Sequence, residues 1–287
     1  MQIGFIGTGV MGKSIVRHLR NGGHNVHIYT RTKSKALDLI EEGAIWQDCP
    51  RAVADHSEVV FTMVGYPNDV EEVYLSQEGI LESSAPSYFV DLTTSTPELA
   101  QRLAKVAEQK GKTCLDAPVS GGDIGAQNGV LSIMIGGDEE AVIDLMPLFQ
   151  LFGKNIVYQG LPGTGQHTKM CNQIAIASTM VAVCESLTYG RRAGLDLSKV
   201  LQSITQGAAG SWSLSNLGPK MIDEDYAPGF FIKHFIKDMG IALDEASRMG
   251  IQLPGLEGAK QLYDELLEEG YGEEGTQAIV RSYKKYW

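Results

Sequence analysis

A chain of 287 residues with 43% hydrophobic and 21% charged residues is long enough to bury a large core and to form two domains, which excludes a disordered chain. Its net charge of −11 excludes a general nucleic-acid or anionic-membrane surface and leaves room only for a local basic pocket. Cys49, Cys114, Cys171 and Cys184 are widely spaced with no CxxC pair, and the six histidines have no ligand spacing, so neither a disulfide framework nor a metal site is expected.

In chain order, residues 2–6 read as a short buried strand. Gly7-Thr8-Gly9-Val10-Met11-Gly12 follows at once, and Ile15, Val16 and Leu19 then take helical spacing. A strand, a glycine turn and a helix suit a dinucleotide. Gly7 serves the tight turn, Gly9 lets backbone approach a pyrophosphate, and Gly12 lets helix pack on strand, with the anion at the helix N-terminus. A second strand, 25–29, ends in Thr30-Arg31-Thr32-Lys33-Ser34-Lys35, without the acidic residue that would accept hydrogen bonds from the ribose of NAD. Arg31 offers a planar fork of donors suited to a 2′-phosphate, so NADP is the expected cofactor. The alternative is that Arg31, Lys33 and Lys35 simply begin a solvated helix.

Further on, 34–42 reads as a helix closing on Gly43, 44–46 as a short strand, 50–55 as a short helix and 58–64 as a buried strand. The loop 65–69 starts another helix, and 87–92 is the next strand. Thr96 caps and Pro97 opens a helix running to Gln109. A strand at 113–116 leads into Ala117-Pro118-Val119-Ser120-Gly121-Gly122. Residues 131–135 form another strand, Asp138 caps a helix running to about Leu151, and 155–158 is the last strand. This alternation predicts a parallel sheet covered on both faces, with ligands at the carboxyl ends of its strands, where the loops at Gly7, Thr30, Gly65 and Thr93 leave.

From 166 to 193 the pattern is one helix of roughly 40 Å, apolar almost all round between Ile174 and Leu187 and so expected to be buried. Its most apolar run is interrupted by Ser178 and Thr179 and falls short of the ~18 residues of a membrane span. A strand from the second residue leaves no room for a leader, and a cytoplasmic protein is expected. The remainder is helical, with breaks at 207–210, 228–229, 254–255 and 270–272. The predicted class is α/β: a Rossmann-type NADP-binding domain over 1–162, an interdomain helix over 163–193 and an all-α C-terminal domain over 194–287.

Four motifs in order, Gly7 to Gly12, Asp116-Ala117-Pro118-Val119-Ser120-Gly121-Gly122, Gly163-Thr164-Gly165-Gln166-His167-Thr168-Lys169-Met170-Cys171-Asn172 and Lys237-Asp238-Met239, make nearly the whole chain resemble the β-hydroxyacid dehydrogenases. That family includes 3-hydroxyisobutyrate dehydrogenase, tartronate semialdehyde reductase and glyoxylate/succinic semialdehyde reductase. The resemblance implies a homodimer or homotetramer that takes a small carboxylate substrate.

The family's catalytic lysine falls on Lys169. Near the start of the long helix, at the predicted domain junction, burial and a neighbouring cofactor would lower its pKa towards the working range, so that it could carry the proton. Asn172, three residues on, lies on the same helix face and can hold the substrate beside it. Ser120, Gly121 and Gly122 offer a hydroxyl and backbone N–H groups to a carboxylate. Thr94 matches a position touching both cofactor and substrate. The resemblance brings Phe230 and Asp238 to the substrate. To the cofactor it brings Gly7, Thr8, Gly9, Val10, Met11, Gly12, Thr30, Arg31, Thr32, Lys35, Val64, Gly65, Asn68 and Lys237. Gln173 departs from the asparagine many relatives carry there, which puts the depth of the substrate pocket in question.

The activity implied is NADP-dependent reduction of a small semialdehyde or 2-oxo acid. The alternative within the family is a 3-hydroxyisobutyrate dehydrogenase working in oxidation. A 6-phosphogluconate dehydrogenase has a much longer helical domain, and imine reductases generally replace the lysine. A non-catalytic cofactor-binding module would have lost the proton carrier, whereas Lys169 and Asn172 are both present.

Overall fold

β-Branched and aromatic runs alternate along the first half of the chain between two apolar surfaces, and that period of two decides the architecture. The computed structural model describes all residues, Met1–Trp287, in two units, Met1–Lys169 and Met170–Trp287. The first carries β1 (Gln2–Ile6), α1 (Val10–Asn21), β2 (Asn25–Tyr29), α2 (Leu37–Glu41), β3 (Ile45–Trp46), α3 (Pro50–Asp55), β4 (Val59–Thr62) and α4 (Pro67–Leu75). It continues through β5 (Tyr88–Asp91), α5 (Pro97–Gln109), β6 (Thr113–Asp116), β7 (Val119–Ser120), α6 (Gly122–Gln127), β8 (Leu131–Gly136), α7 (Glu139–Phe149) and β9 (Gly153–Gly160). The strands form one sheet in the order β3-β2-β1-β4-β5-β6-β8-β7, with β9 on β8. Ile3, Phe5, Phe61, Val90 and Leu115 enter one core with Leu19, Phe149 and Phe152. Their neighbours Ile6, Val60, Phe89 and Cys114 enter a second with Val70, Tyr74 and Leu103. The two cores lie on opposite faces of the sheet, as the alternation requires.

The expected parallel pairing holds from β3 to β6 and again between β8 and β9, but β8 runs antiparallel to β6 and β7. β6 and β7 both run antiparallel to β8 in one unbroken register, Asp116 opposite Gly136 and Val119 opposite Ile133. Proline has no N–H, so the ladder is interrupted at Ala117-Pro118, although the Pro118 carbonyl still accepts from Met134 N at 3.1 Å. What the sequence suggests is a loop before Ser120 is thus the continuation of a strand. The helix expected over 34–42 is a 3₁₀ turn, Lys33–Ala36, followed by the short α2.

α8 (Thr164–Arg192) crosses from the first unit into the second. It is not buried all round. Gln173, Ala177, Met180, Cys184 and Leu187 are buried at helical spacing, whereas Cys171, Ala175, Ser178, Ala182, Glu185 and Tyr189 are exposed. Contrary to the sequence expectation, α8 is long and apolar enough to cross a membrane by length and composition. Its buried stripe instead joins the core of the second unit, with Phe235, Met239, Tyr263 and Ile279. That unit is helical throughout: α9 (Leu197–Ile204), α10 (Trp212–Asn216), α11 (Gly218–Ile222), α12 (Ile232–Arg248), α13 (Pro254–Glu268) and a closing 3₁₀ segment, Thr276–Tyr286. Pro254 stands at the first position of α13, where its missing N–H costs nothing, so the break expected there is a helix start.

Candidate active site

The turn between β1 and α1 is built for close approach. Gly7 has φ +99°, and a side chain there would collide with the Met63 carbonyl; one on Gly12 would collide with the Gly7 carbonyl. A side chain on Gly9 would meet nothing within 4 Å and would stand where a ligand can lie. α1 has no side-chain cap and no acidic residue in its first turn, so its N–H groups are presented to an anion. Thr8 is 2% exposed, and its Oγ1 has no hydrogen-bond partner in the protein. An open cradle, uncapped N–H groups and an orphaned hydroxyl fit a dinucleotide pyrophosphate.

Thr30, Arg31, Thr32 and Lys35 follow β2 at the same edge. The Arg31 side chain is 77% exposed and donates to Asp69 Oδ1 at 3.0 Å, while Asp69 Oδ2 accepts from Tyr66 N and so caps α4. An acidic partner for Arg31 therefore does exist, on α4 rather than after β2, and sequence spacing gives no sign of it. Val64 and Gly65 follow β4 half-buried, and Asn68 stands exposed in the first turn of α4. Val64 N donates to Thr93 Oγ1 at 3.0 Å, which joins the loop after β4 to the loop carrying Thr94.

Lys169 is 6% exposed, and its ammonium donates to the Val119 carbonyl at 2.9 Å. Val119 directly precedes Ser120, Gly121 and Gly122. Lys169 and the carboxylate loop foreseen from sequence are therefore brought together, by the interrupted strand that places β7 beside β8. At the end of β6 stands Asp116, whose two oxygens accept from Gly163 N and Gln166 N, each at 2.8 Å. Burial pushes its carboxyl up to about 6, against the opposing pull of those two N–H donors.

In the second unit, Asn172 Nδ2 donates to Gln173 Oε1 at 2.7 Å, and Gln173 Nε2 donates to Asp238 Oδ2 at 2.6 Å. Asp238 Oδ1 forms an ion pair with Lys237 Nζ at 2.8 Å, with the Asp238 side chain 1% exposed. The departure at Gln173 thus has a structural role: its longer amide bridges Asn172 and Asp238. Phe230 is half-buried, its ring centroid 5.7 Å from that of Phe235. Three residues without an expected role border the site: Asp69 binds Arg31, Gln166 binds Thr93 and Ser95 on either side of Thr94, and Asp116 accepts from Gly163 and Gln166 at the start of the helix that carries Lys169. Only the inclusion of Asp116 and Gln166 in the recurring motifs could have pointed to two of them.

Residues 2–160 match the family described as the NAD binding domain of 6-phosphogluconate dehydrogenase. Residues 163–283 match that described as the NAD-binding of NADP-dependent 3-hydroxyisobutyrate dehydrogenase. The chain is 56% identical over 284 residues to the uncharacterized oxidoreductase YkwC of Bacillus subtilis, covering 99% of each. It is 36% identical to 2-hydroxy-3-oxopropionate reductase of Escherichia coli, covering 98% of this chain and 97% of that one. Among solved structures, Psf3 in complex with NADP+ and 2-OPP superposes with a TM-score of 0.90 at 26% identity, covering 98% of this chain and 99% of that one. With an NAD(P)-binding fold over its first half and matches of this length over the whole, the chain is an NAD(P)-dependent oxidoreductase and belongs to the β-hydroxyacid dehydrogenase family.

Proposed function

We propose that the protein is an NADPH-dependent reductase of small acids bearing an aldehyde or ketone, such as succinic semialdehyde or glyoxylate, with Lys169 as the proton donor. The observation that carries this reading is the Lys169 ammonium held at the rim of the Ser120-Gly121-Gly122 loop by the Val119 carbonyl. The reduced nicotinamide, when bound, supplies the hydride that reaches the carbonyl carbon. Lys169 gives its proton to the carbonyl oxygen as the double bond is lost, is left as the neutral amine, and takes a new proton from solvent. In the oxidative direction the amine accepts that proton. Ser120, Gly121 and Gly122 hold the substrate carboxylate through a hydroxyl and backbone N–H groups. Asn172, one turn along α8 from Lys169, orients the substrate, and Thr94, Phe230 and Asp238 complete the proposed contacts.

Support for the dinucleotide site comes from the cradle at Gly9 and the buried Thr8 hydroxyl. Gly7, Val10, Met11 and Gly12 shape that turn, Val64, Gly65 and Asn68 border it, and Lys237 is assigned to the cofactor. Arg31, with Thr30, Thr32 and Lys35, supports NADP over NAD because a guanidinium matches a phosphate. The 36%-identical relative is named for a substrate that joins an aldehyde to a carboxylate, which supports the substrate class. We further propose domains over 1–162, 163–193 and 194–287, a homo-oligomer, and a reducing, cytoplasmic setting in keeping with four free cysteines.

The test is a screen of semialdehydes, 2-oxo acids and 3-hydroxyacids against NADPH and NADH. Fastest turnover of a semialdehyde with NADPH is expected. A preference for oxidising 3-hydroxyisobutyrate would favour the alternative family activity.

A further inference from the structure

Gln166 is completely buried, and every polar group it owns outside the helix ladder has a named partner. Its side-chain Oε1 accepts from Ser95 N at 2.9 Å, and its Nε2 donates to the Thr93 carbonyl at 2.7 Å. These two backbone groups flank Thr94 on either side. The Gln166 N–H donates to Asp116 Oδ2. The helix start it belongs to is seated so closely that a side chain on Gly165 would lie 2.5 Å from the Met134 carbonyl and 2.7 Å from the Asp116 carbonyl. Thr93 is fixed from its other side too, its N–H donating to Asp91 Oδ1 at 3.0 Å. Gln166 therefore ties the Thr94 loop to the first turn of α8, and Lys169 lies three residues along, on the same helix face.

We propose that Gln166 is a positioning residue: its amide clasps Thr93 and Ser95 so that Thr94 is held at a fixed distance from Lys169 during hydride transfer. This rests on the reading of Lys169 as proton donor and Thr94 as a ligand contact. An amide is required because one end must accept and the other donate. A carboxylate in its place turns an oxygen towards the Thr93 carbonyl, and that repulsion drives the side chain out of the clasp and releases Ser95 N as well. A protonated carboxyl restores both bonds, since it has one O–H donor and one carbonyl acceptor.

The test is Gln166→Glu, with its kcat expressed as a ratio to the unaltered enzyme at each pH so that pH effects common to both cancel. At pH 8 the ratio is expected to fall about 10- to 100-fold, the scale on which misplaced groups lose rate. It should recover to within about 3-fold as pH falls and the buried carboxyl takes up its proton. In the ligand-free protein, amide exchange at Ser95, corrected for its intrinsic pH dependence, should be fast at pH 8 and regain protection over the same pH range. A ratio that stays low while Ser95 regains protection would overturn the proposal, as would an unchanged kcat with Ser95 unprotected. Gln166→Met, of similar length and without either bond, serves should the glutamate variant fail to fold. A pH-independent loss of kcat is expected of it, and unchanged turnover would overturn the proposal. Lys169→Ala measured alongside separates the two readings: if that variant keeps full turnover, the proton-donor assignment fails, while Ser95 exchange still reports on the clasp.

Discussion

In the proposed function Arg31 carries the cofactor choice, and its surroundings make that choice measurable. Its pairing with Asp69 is a solvent-exposed contact, which contributes little to stability, so removing the guanidinium should leave the fold intact. The KM for NADPH in Arg31→Ala is expected to rise about tenfold or more, and that for NADH to change far less, because only NADPH loses a charged partner. Equal changes for both cofactors would assign discrimination to another group. Asp69→Asn should shift the two in the opposite sense, as an acidic neighbour is removed from beside the phosphate.

At the scale of elements, Asp116 stands where β6 ends, α8 begins and the sheet changes direction. Burial raises its carboxyl from the ordinary value to about 6, so the folded protein holds a proton there that the unfolded chain has released. The sign follows: this group's contribution is fully present below about pH 4 and is lost as pH rises to about 6. The loss is on the order of 3 kcal/mol in unfolding free energy. Asp116→Asn should abolish that part of the pH dependence in denaturant titrations between pH 4 and 6. An unaltered slope would place the titration elsewhere.

Most elements were legible in sequence because β-branched runs, glycine turns and capping residues act locally. The strand through Gln2–Ile6, the glycine turn and the Thr96-Pro97 helix start are of this kind. β7 was not, because its register is set by β8, more than ten residues away, and Pro118 disguises it as a loop. The Gln166 clasp escaped for the same reason, since a glutamine in a helix start declares nothing until its partners at Thr93 and Ser95 are known.

At the scale of the whole molecule, α8 leaves a face of Cys171, Ala175, Ser178, Ala182, Glu185 and Tyr189 to solvent, with the Tyr189 residue 76% exposed. Small residues beside an exposed aromatic suit close packing against another chain, and a homo-oligomer is expected by light scattering at micromolar concentration. A monodisperse monomer would contradict it.

The most direct test of the proposed chemistry is Lys169→Ala assayed for NADPH oxidation with a semialdehyde, alongside NADPH binding by fluorescence. Loss of kcat by on the order of 10² or more, with near-normal cofactor binding, is expected of a residue that acts when charge develops on the substrate oxygen. Near-normal turnover in the folded variant would show that the proton comes from elsewhere.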